Sequence, residues 1–151
     1  MVKNARILVV DDEESIRTTL TAILEDEGYI VDCAANGKEA IEKSHANFYN
    51  IALIDFRLPD MDGTELLTAL KETTPKMIKI MVTGYPSLHN AVESVNKRAD
   101  AFLMKPVSIE TLLSTVRNLL RKQHEEERFN EEKVKEFIET RVRNLETDVP
   151  P

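Results

Sequence analysis

The sequence has little of several residue types that would each indicate a particular class of protein. Its 151 residues include one cysteine, Cys33, which leaves no partner for an intramolecular disulfide and too few thiols for a multi-cysteine zinc site. Basic residues are outnumbered, 20 against 27 acidic ones, and the net charge of -7 disfavours contact with nucleic acid or with an anionic membrane.

Long apolar runs are also missing. No segment approaches the ~18 consecutive apolar residues of a membrane-spanning helix. The N-terminal residues lead straight into a short apolar run and lack the shape of a signal peptide. We therefore expect a cytoplasmic protein that binds no membrane and makes no direct contact with nucleic acid.

The chain instead shows a regular alternation of short apolar runs and amphipathic stretches. Continuous apolar runs such as residues 7–10 and 51–54 are typical of buried parallel strands, and the stretches between them have helical spacing. This alternation predicts an α/β fold, a doubly wound five-stranded parallel sheet with helices on both faces. The second strand is mixed in polarity and suits an edge, which indicates the flavodoxin-like order 2-1-3-4-5. The predicted strands cover residues 7–10, 29–33, 51–54, 78–82 and 101–104, and five helices alternate with them.

Local signals predict where some of the helices begin and end. Asn36 with Glu39 three residues later resembles a capping box, and Asp62 with Glu65 forms a second such pair. Pro75 is expected to close the third helix, since proline cannot continue a helix.

The last thirty residues differ from the rest. We expect residues 1–121 to form the α/β domain and residues 122–151 a charged helical extension with a frayed end. Two shapes remain open, namely one long helix from Ile109 to about Glu146, or a break near Asn130. Apolar residues recur at helical spacing and need burial against the domain, in a dimer or beside a missing domain: Val134, Phe137, Ile138, Val142 and Leu145.

Five polar residues follow strands of the predicted sheet and are expected to form its site. Asp11 and Asp12 follow the first strand, Asp55 the third, Thr83 the fourth and Lys105 the fifth. Ligands of open α/β sheets bind outside the carboxyl ends of the strands, where the strand order reverses. That point lies here between the first and third strands, so the fold should bring these side chains together.

The chemistry of this set indicates a metal ion and a phosphoryl group. Three close carboxylates repel one another unless a cation joins them, and Mg²⁺ prefers carboxylate oxygens together with phosphate oxygens. Lys105 offers a positive charge and Thr83 a hydroxyl donor to a phosphate. An aspartate carboxylate can also act as a nucleophile and form an aspartyl phosphate.

Four short stretches carry a resemblance to a known family. Residues 8–13 (Leu-Val-Val-Asp-Asp-Glu), 55–63 (Asp-Phe-Arg-Leu-Pro-Asp-Met-Asp-Gly), 82–85 (Val-Thr-Gly-Tyr) and 102–106 (Phe-Leu-Met-Lys-Pro) occur in the family's order and at its spacing. The sequence resembles the receiver domains of two-component response regulators over residues 5–121.

The resemblance implies a role for each acidic residue of the site. Asp55 resembles the phospho-acceptor, supplied by a phosphohistidine on a sensor histidine kinase. Asp12 resembles the direct Mg²⁺ ligand and Asp11 an outer ligand, while the backbone carbonyl of Arg57 is expected to face the metal. The chain would then be a signalling switch and no enzyme, with autophosphorylation and autodephosphorylation that depend on Mg²⁺.

The resemblance also implies a switch. Lys105 pairs with the phosphoryl group, and its bond to Pro106 is expected to be cis. Thr83 moves toward the phosphate, and Phe102 resembles the aromatic that turns inward behind it. The alternative for Phe102 is an ordinary core residue. The output surface is expected within residues 87–120, where it would meet a downstream protein or a missing output domain. A homodimer through this face or through the C-terminal helix is the other expectation.

Other functions fit the residues less well. An interaction scaffold of the same fold would need no phosphorylation, yet the acceptor set is complete. Phosphohydrolases with an aspartate nucleophile normally need a second aspartate two residues later, where this chain has Arg57. A flavin-binding module is disfavoured because the acidic loop at residues 11–14 would repel a phosphate.

Arg98 departs from the family's pattern, and so does Phe102, where the family's switch aromatic is often tyrosine. Family members often have glycine at the position of Arg98, where a helix ends and the backbone takes a positive φ. An arginine there leaves the shape of this turn to be established by the structure.

Overall fold

The computed structural model describes residues 4–84, 92 and 98–147. The strands are β1 (Arg6–Val10), β2 (Ile30–Ala34), β3 (Ile51–Asp55), β4 (Ile78–Thr83) and β5 (Ala101–Met104), and the helices are α1 (Glu14–Asp26), α2 (Gly37–Ala46), α3 (Gly63–Ala69) and α4 (Ile109–Thr147). The helix expected before residue 98, which belongs to the predicted output face, lies outside the described residues except for residue 92. The expected frayed end, residues 148–151, lies outside them as well.

The strands form one parallel sheet in the order β2-β1-β3-β4-β5, which confirms the predicted fold class. β3 lies at the centre and all five of its residues are buried, because helices cover both faces of the sheet. β2 lies at an edge and only Ala34 among its residues is fully buried, in agreement with its mixed polarity.

Two hydrophobic cores lie on opposite faces of the sheet because successive strand side chains point in opposite directions. Val9 and Leu53 face one core, which α1 and α4 cover, while Leu8 and Ile54 face the other, which α2 and α3 cover. The helices contribute Leu24, Leu112, Val116 and Leu120 to the first core and Ala40, Leu66 and Leu67 to the second.

The predicted cap of α2 is confirmed. The Asn36 side chain accepts a hydrogen bond from the Glu39 backbone N–H at 2.8 Å. The Glu39 carboxylate in turn accepts from the Ala35 N–H at 3.0 Å, one residue earlier than in a standard capping box. This backbone hydrogen bond is the largest cause that lowers the pKa of Glu39.

The predicted start of α3 is confirmed, since Asp62 is its N-cap residue, but the predicted side-chain cap and the predicted end were wrong. The Asp62 side chain makes no capping hydrogen bond, since the preceding loop folds back and pairs the Asp62 backbone with Arg57. The helix also ends at Ala69, well before Pro75. Leu70 takes an extended conformation there and is buried in the core, so packing ends the helix before the proline does.

The C-terminal helix α4 is a single uninterrupted element, so the continuous one of the two expected shapes is the one observed. Its 39 residues span ~58 Å at ~1.5 Å per residue. Its start is capped by Ser108, whose hydroxyl accepts from the Thr111 N–H at 3.1 Å. The predicted domain boundary at residue 121 falls inside this helix and stays a prediction. Among the described residues, no helix has both the length and the apolar character that crossing a membrane requires.

The turn before β5 has the backbone geometry in which glycine is favoured, although its residue is Arg98. Its φ is 70°, in the left-handed region. A residue with a Cβ occupies this region at a cost of roughly 1–2 kcal/mol.

Replacing Arg98 with glycine should therefore stabilise the protein. We expect Arg98→Gly to raise the free energy of unfolding by about 0.5–1 kcal/mol, since relief at φ 70° exceeds the entropy that glycine adds to the unfolded chain. Urea denaturation measures this difference. Arg98→Ala removes the same charge but keeps Cβ, so an equal gain for alanine would contradict the backbone explanation.

Candidate functional site

The carboxyl ends of four strands bring the predicted site residues together. Asp11 directly follows β1, Asp55 is the last residue of β3, and Lys105 directly follows β5. The Lys105 Nζ lies 2.8 Å from Asp11 Oδ2 and 3.5 Å from Asp55 Oδ2. Thr83 ends β4 beside them, is buried, and accepts a hydrogen bond at its backbone carbonyl from the Lys105 N–H at 2.7 Å.

Three carboxylates form the acidic part of this cluster. Asp11, Asp12 and Asp55 each offer one oxygen, and these oxygens all lie within 4.8 Å of one another. Asp11 and Asp55 are buried, whereas Asp12 is exposed and opens the cluster to solvent. An all-oxygen set with one open side suits Mg²⁺, which keeps several waters and few protein ligands.

The surroundings of Asp55 oppose its ionisation. Burial is the largest cause that raises the pKa of this carboxyl to about 6, and the charge of Asp11 adds to it. The Lys105 charge and a hydrogen bond from the Arg57 backbone N–H act in the opposite direction, and the Asp12 charge raises the pKa further. The single lysine therefore does not compensate the acidic cluster, and a cation would remove the remaining repulsion.

Lys105 remains a cation inside this cluster. Burial pulls the pKa of its ammonium down, but the hydrogen bond and charge of Asp11, with the charge of Asp55, outweigh burial and raise the pKa above its ordinary value. Lys105 is therefore positively charged at neutral pH and available to a phosphate oxygen.

Asp11 is held by two contacts that the sequence pattern did not reveal. The Arg17 guanidinium donates to the Asp11 carbonyl at 2.7 Å, and the Glu13 N–H donates to the Asp11 carboxylate at 2.9 Å. One signal in the sequence could have indicated the Arg17 contact. Arg17 lies near the N-terminus of α1, where acidic residues are usually favoured.

The loop after β3 is fastened to a neighbouring helix by Asp60. Its carboxylate accepts from the backbone N–H groups of Gly37 and Lys38, both at 2.9 Å, and these hydrogen bonds lower its pKa. The sequence pattern did not indicate this anchoring role. The expectation that the Arg57 carbonyl faces a metal stays a prediction.

Gly63 leaves room for the backbone of Asp55. A Cβ at Gly63 would lie 2.4 Å from the Asp55 carbonyl oxygen and 3.0 Å from the Phe56 Cα. The Gly63 N–H also donates to the Phe56 carbonyl at 2.7 Å. The glycine that closes the 55–63 motif is therefore needed for close packing against the candidate acceptor.

The remaining predicted positions lie in or just after β5. Phe102 pairs with Met81 of β4 in the sheet register, is half-buried and packs against the core under α2 and α3. Its role as a switch aromatic stays a prediction. The Lys105–Pro106 bond is cis, as expected.

Comparisons with known proteins agree with this geometry. The family model described as "Response regulator receiver domain" matches residues 7–117. The transcriptional regulatory protein SrrA of Staphylococcus aureus is 40% identical over 116 residues, which cover 77% of this chain and 48% of SrrA. The response regulator ArlR of Staphylococcus saprophyticus is 34% identical over 120 residues, covering 78% and 53% respectively.

A solved structure is similar as well. The CheY-like response regulator receiver domain protein of Methanospirillum hungatei has a TM-score of 0.76 and 50% sequence identity, and the match covers 81% of this chain and 98% of that one. The fold and the clustered carboxylates define an α/β domain of the receiver type, with an acidic cluster that could hold a metal ion. The chain belongs to the response regulator receiver domain family. It spans about half the length of SrrA and ArlR, and a smaller share of other curated relatives.

Removing one charge from the acidic cluster should stabilise the metal-free protein. We expect Asp55→Asn to raise the free energy of unfolding by about 1–2 kcal/mol at neutral pH. The pKa of Asp55 is raised in the folded state from 3.8 to about 6, so its ionisation destabilises the fold, and the gain should shrink as pH falls from about 6 toward 3.8. Urea denaturation in EDTA across this range measures it.

Asp62→Asn is the matched control, because it removes the same charge from an exposed residue without a capping hydrogen bond. Its effect should stay within about 0.5 kcal/mol. Mg²⁺ should stabilise wild type more than Asp55→Asn. If both variants raise the free energy of unfolding equally, the cause is the change in net charge, and repulsion within the acidic cluster is contradicted.

Filling the space at Gly63 should disturb the site. We expect Gly63→Ala to lower the free energy of unfolding by about 1–3 kcal/mol and to weaken the Mg²⁺-induced rise in Tm, because the new Cβ displaces the Asp55 backbone. Gly84→Ala is the control, since its Cβ would meet no atom closer than 3.9 Å. Equal losses at the two glycines would rule out a specific clash.

Proposed function

We propose that this chain is the receiver of a two-component phosphorelay and accepts a phosphoryl group on Asp55 from a phosphohistidine of a sensor histidine kinase. The observation that carries the proposal is the contact of Lys105 with both Asp11 and Asp55, inside a set of three carboxylate oxygens within 4.8 Å. Membership of the receiver family supports it.

The chemistry assigned to Asp55 is nucleophilic. A carboxylate oxygen attacks the phosphorus atom of phosphohistidine, the new P–O bond forms, and the P–N bond breaks as the imidazole leaves. Asp11, Asp12, Asp55 and the Arg57 carbonyl would hold Mg²⁺, which when bound neutralises charge on the phosphoryl oxygens. Lys105 exchanges its contact with the Asp11 carboxylate for a phosphoryl oxygen, and the Thr83 hydroxyl donates to another.

The acyl phosphate on Asp55 would then act as a switch. Thr83 and Phe102 are the residues proposed to follow the phosphoryl group, because Thr83 ends β4 beside the site and Phe102 pairs with Met81 of the same strand. The surface that changes lies within residues 87–120 and meets a downstream protein or an output domain beyond this chain. Such a switch turns over no free metabolite.

Intact mass spectrometry tests the assignment. After incubation with acetyl phosphate and Mg²⁺, we expect wild type and the Asp62→Asn control to gain one phosphoryl group, which EDTA prevents. Asp55→Asn should gain none, because an amide is not a nucleophile for this transfer. No gain by wild type, even with a phosphorylated histidine kinase as donor, would favour a scaffold that works without phosphorylation.

A further inference from the structure

The apolar face of α4 continues beyond the domain on which the helix packs. Leu112, Val116 and Leu120 are buried in the core. At ~100° per residue, Val134 has the same direction around the helix axis as Val116, and Ile138 has the same direction as Leu120. The side chains that continue this line are at least half exposed: Val134 (57%), Phe137 (64%), Ile138 (55%) and Leu145 (68%).

A groove confirms the direction of this stripe, which we define as Val134, Phe137, Ile138 and Leu145. It has a volume of about 990 Å³ and lies between the loop at residues 73–78 and one side of α4. Val134 and Ile138 line it together with Leu119, Pro75 and Met77. Val134 and Ile138 of the stripe therefore face the underside of the receiver, at the end of the sheet opposite Asp55.

The rotation of α4 is held where the helix leaves the domain. Gln123 is buried, its amide donates to the carbonyls of Asn50 and Lys76 at 3.3 and 2.8 Å, and its oxygen accepts from the Asn50 side chain at 3.1 Å. These hydrogen bonds fix which face of the extension is presented to the groove.

Two charged residues lie on the same side of α4 as the stripe, at positions symmetrical about Val134. Glu127 lies seven residues before Val134 and Arg141 seven residues after it, and both fall within about 20° of Val134 around the helix axis. If a second copy of the helix runs in the opposite direction, with Val134 opposite Val134, then Glu127 of each helix lies opposite Arg141 of the other.

We propose that the stripe pairs with the α4 helix of a second copy of this chain, in antiparallel orientation and centred on Val134. Each copy then contributes two reciprocal contacts, Glu127 with the second copy's Arg141 and Arg141 with its Glu127. Leu145 of each helix comes opposite Gln123 of the other, so the helix end enters the groove beneath the second receiver. The pairing does not depend on phosphoryl transfer at Asp55.

The charges of the extension favour this orientation. Residues 124–132 contain five acidic residues and one basic residue, whereas residues 133–145 contain four basic and two acidic residues. Antiparallel pairing places the acidic half of one helix against the basic half of the other, which is attractive. Parallel pairing would place acidic against acidic and also Glu127 against Glu127.

The position of the receiver also excludes the parallel arrangement. The domain lies on the same side of α4 as the stripe, as the burial of Val116 and the groove both show. Two parallel helices joined through the stripe would place both receivers in the space between them. In the antiparallel arrangement the receivers lie at opposite ends of a paired segment ~36 Å long.

The first experiment measures the oligomeric state of the 151-residue chain. Sedimentation equilibrium under reducing conditions, over a dilution series, should show a dimer for wild type and a monomer for Ile138→Asp. Phe129→Asp is the matched control, since Phe129 is 58% exposed but lies about 140° from Val134 around the helix. It should dimerise as wild type does.

A monomer at every concentration would overturn the proposal and leave the groove to a protein of another sequence. A dimer that Phe129→Asp disrupts and Ile138→Asp leaves intact would overturn it equally. Circular dichroism of each variant checks that the fold is retained, as expected for substitutions at exposed positions.

The second experiment tests the orientation by charge reversal. We expect Glu127→Arg and Arg141→Glu each to weaken dimerisation about tenfold, because both reciprocal contacts become repulsive, and the double variant to recover it. In a parallel dimer each residue would meet its own copy, so the single variants would match wild type and the proposal would fail.

The chain offers a matched pair for this test as well. Glu125 and Arg143 are equally spaced about Val134 but lie on the opposite face of the helix. Glu125→Arg and Arg143→Glu should therefore leave the dissociation constant unchanged. Effects as large as those at Glu127 and Arg141 would show that total charge controls association, which contradicts the proposed contacts.

Discussion

The repulsion among three carboxylates at one edge of the sheet is the constraint on which the site depends. Asp11 and Asp55 are buried beside each other, and among the described residues Lys105 is the cation that contacts both carboxylates. The pKa of Asp55, raised to about 6 chiefly by burial, expresses this incomplete balance. A site with three carboxylates and one lysine is suited to bind a metal cation together with a phosphoryl group. The cation offsets the negative charge of the carboxylates and of the phosphoryl oxygens.

The packing of the sheet offsets the unfavourable free energy of this cluster. β1 and β3 are adjacent, parallel and buried on both faces, so the residues that follow them are held close by apolar packing on two sides. The hydrogen bonds from Arg17 to Asp11 and from Gly37 to Asp60 then fasten the connecting loops. The two cores supply the stability, and the repelling carboxylates are confined to the carboxyl ends of the strands.

Sequence reasoning worked where one local pattern decides the structure. The continuous apolar run at residues 51–54 identified the central strand, and the alternation of strands and helices led to the observed strand order. It failed where distant residues compete with a local signal. Asp62 is the N-cap residue of α3, but its side chain makes no capping hydrogen bond because its loop folds back on Arg57. The contacts of Asp60 with α2 and of Arg17 with Asp11 join residues from different elements. Periodicity does not encode such contacts.

The C-terminal helix connects the two ends of the molecule. It begins at Ile109, four residues after Lys105 at the edge that holds the carboxylates, and it passes the opposite end of the domain at Gln123. Because helices are stiff over this length and the turn from Lys105 to Ser108 is short, a displacement of that turn would be carried along the helix axis. The Gln123 hydrogen bonds resist rotation at the underside. Any coupling between Asp55 and the extension would therefore travel mainly as a tilt or shift of α4, and least as a rotation of its apolar face.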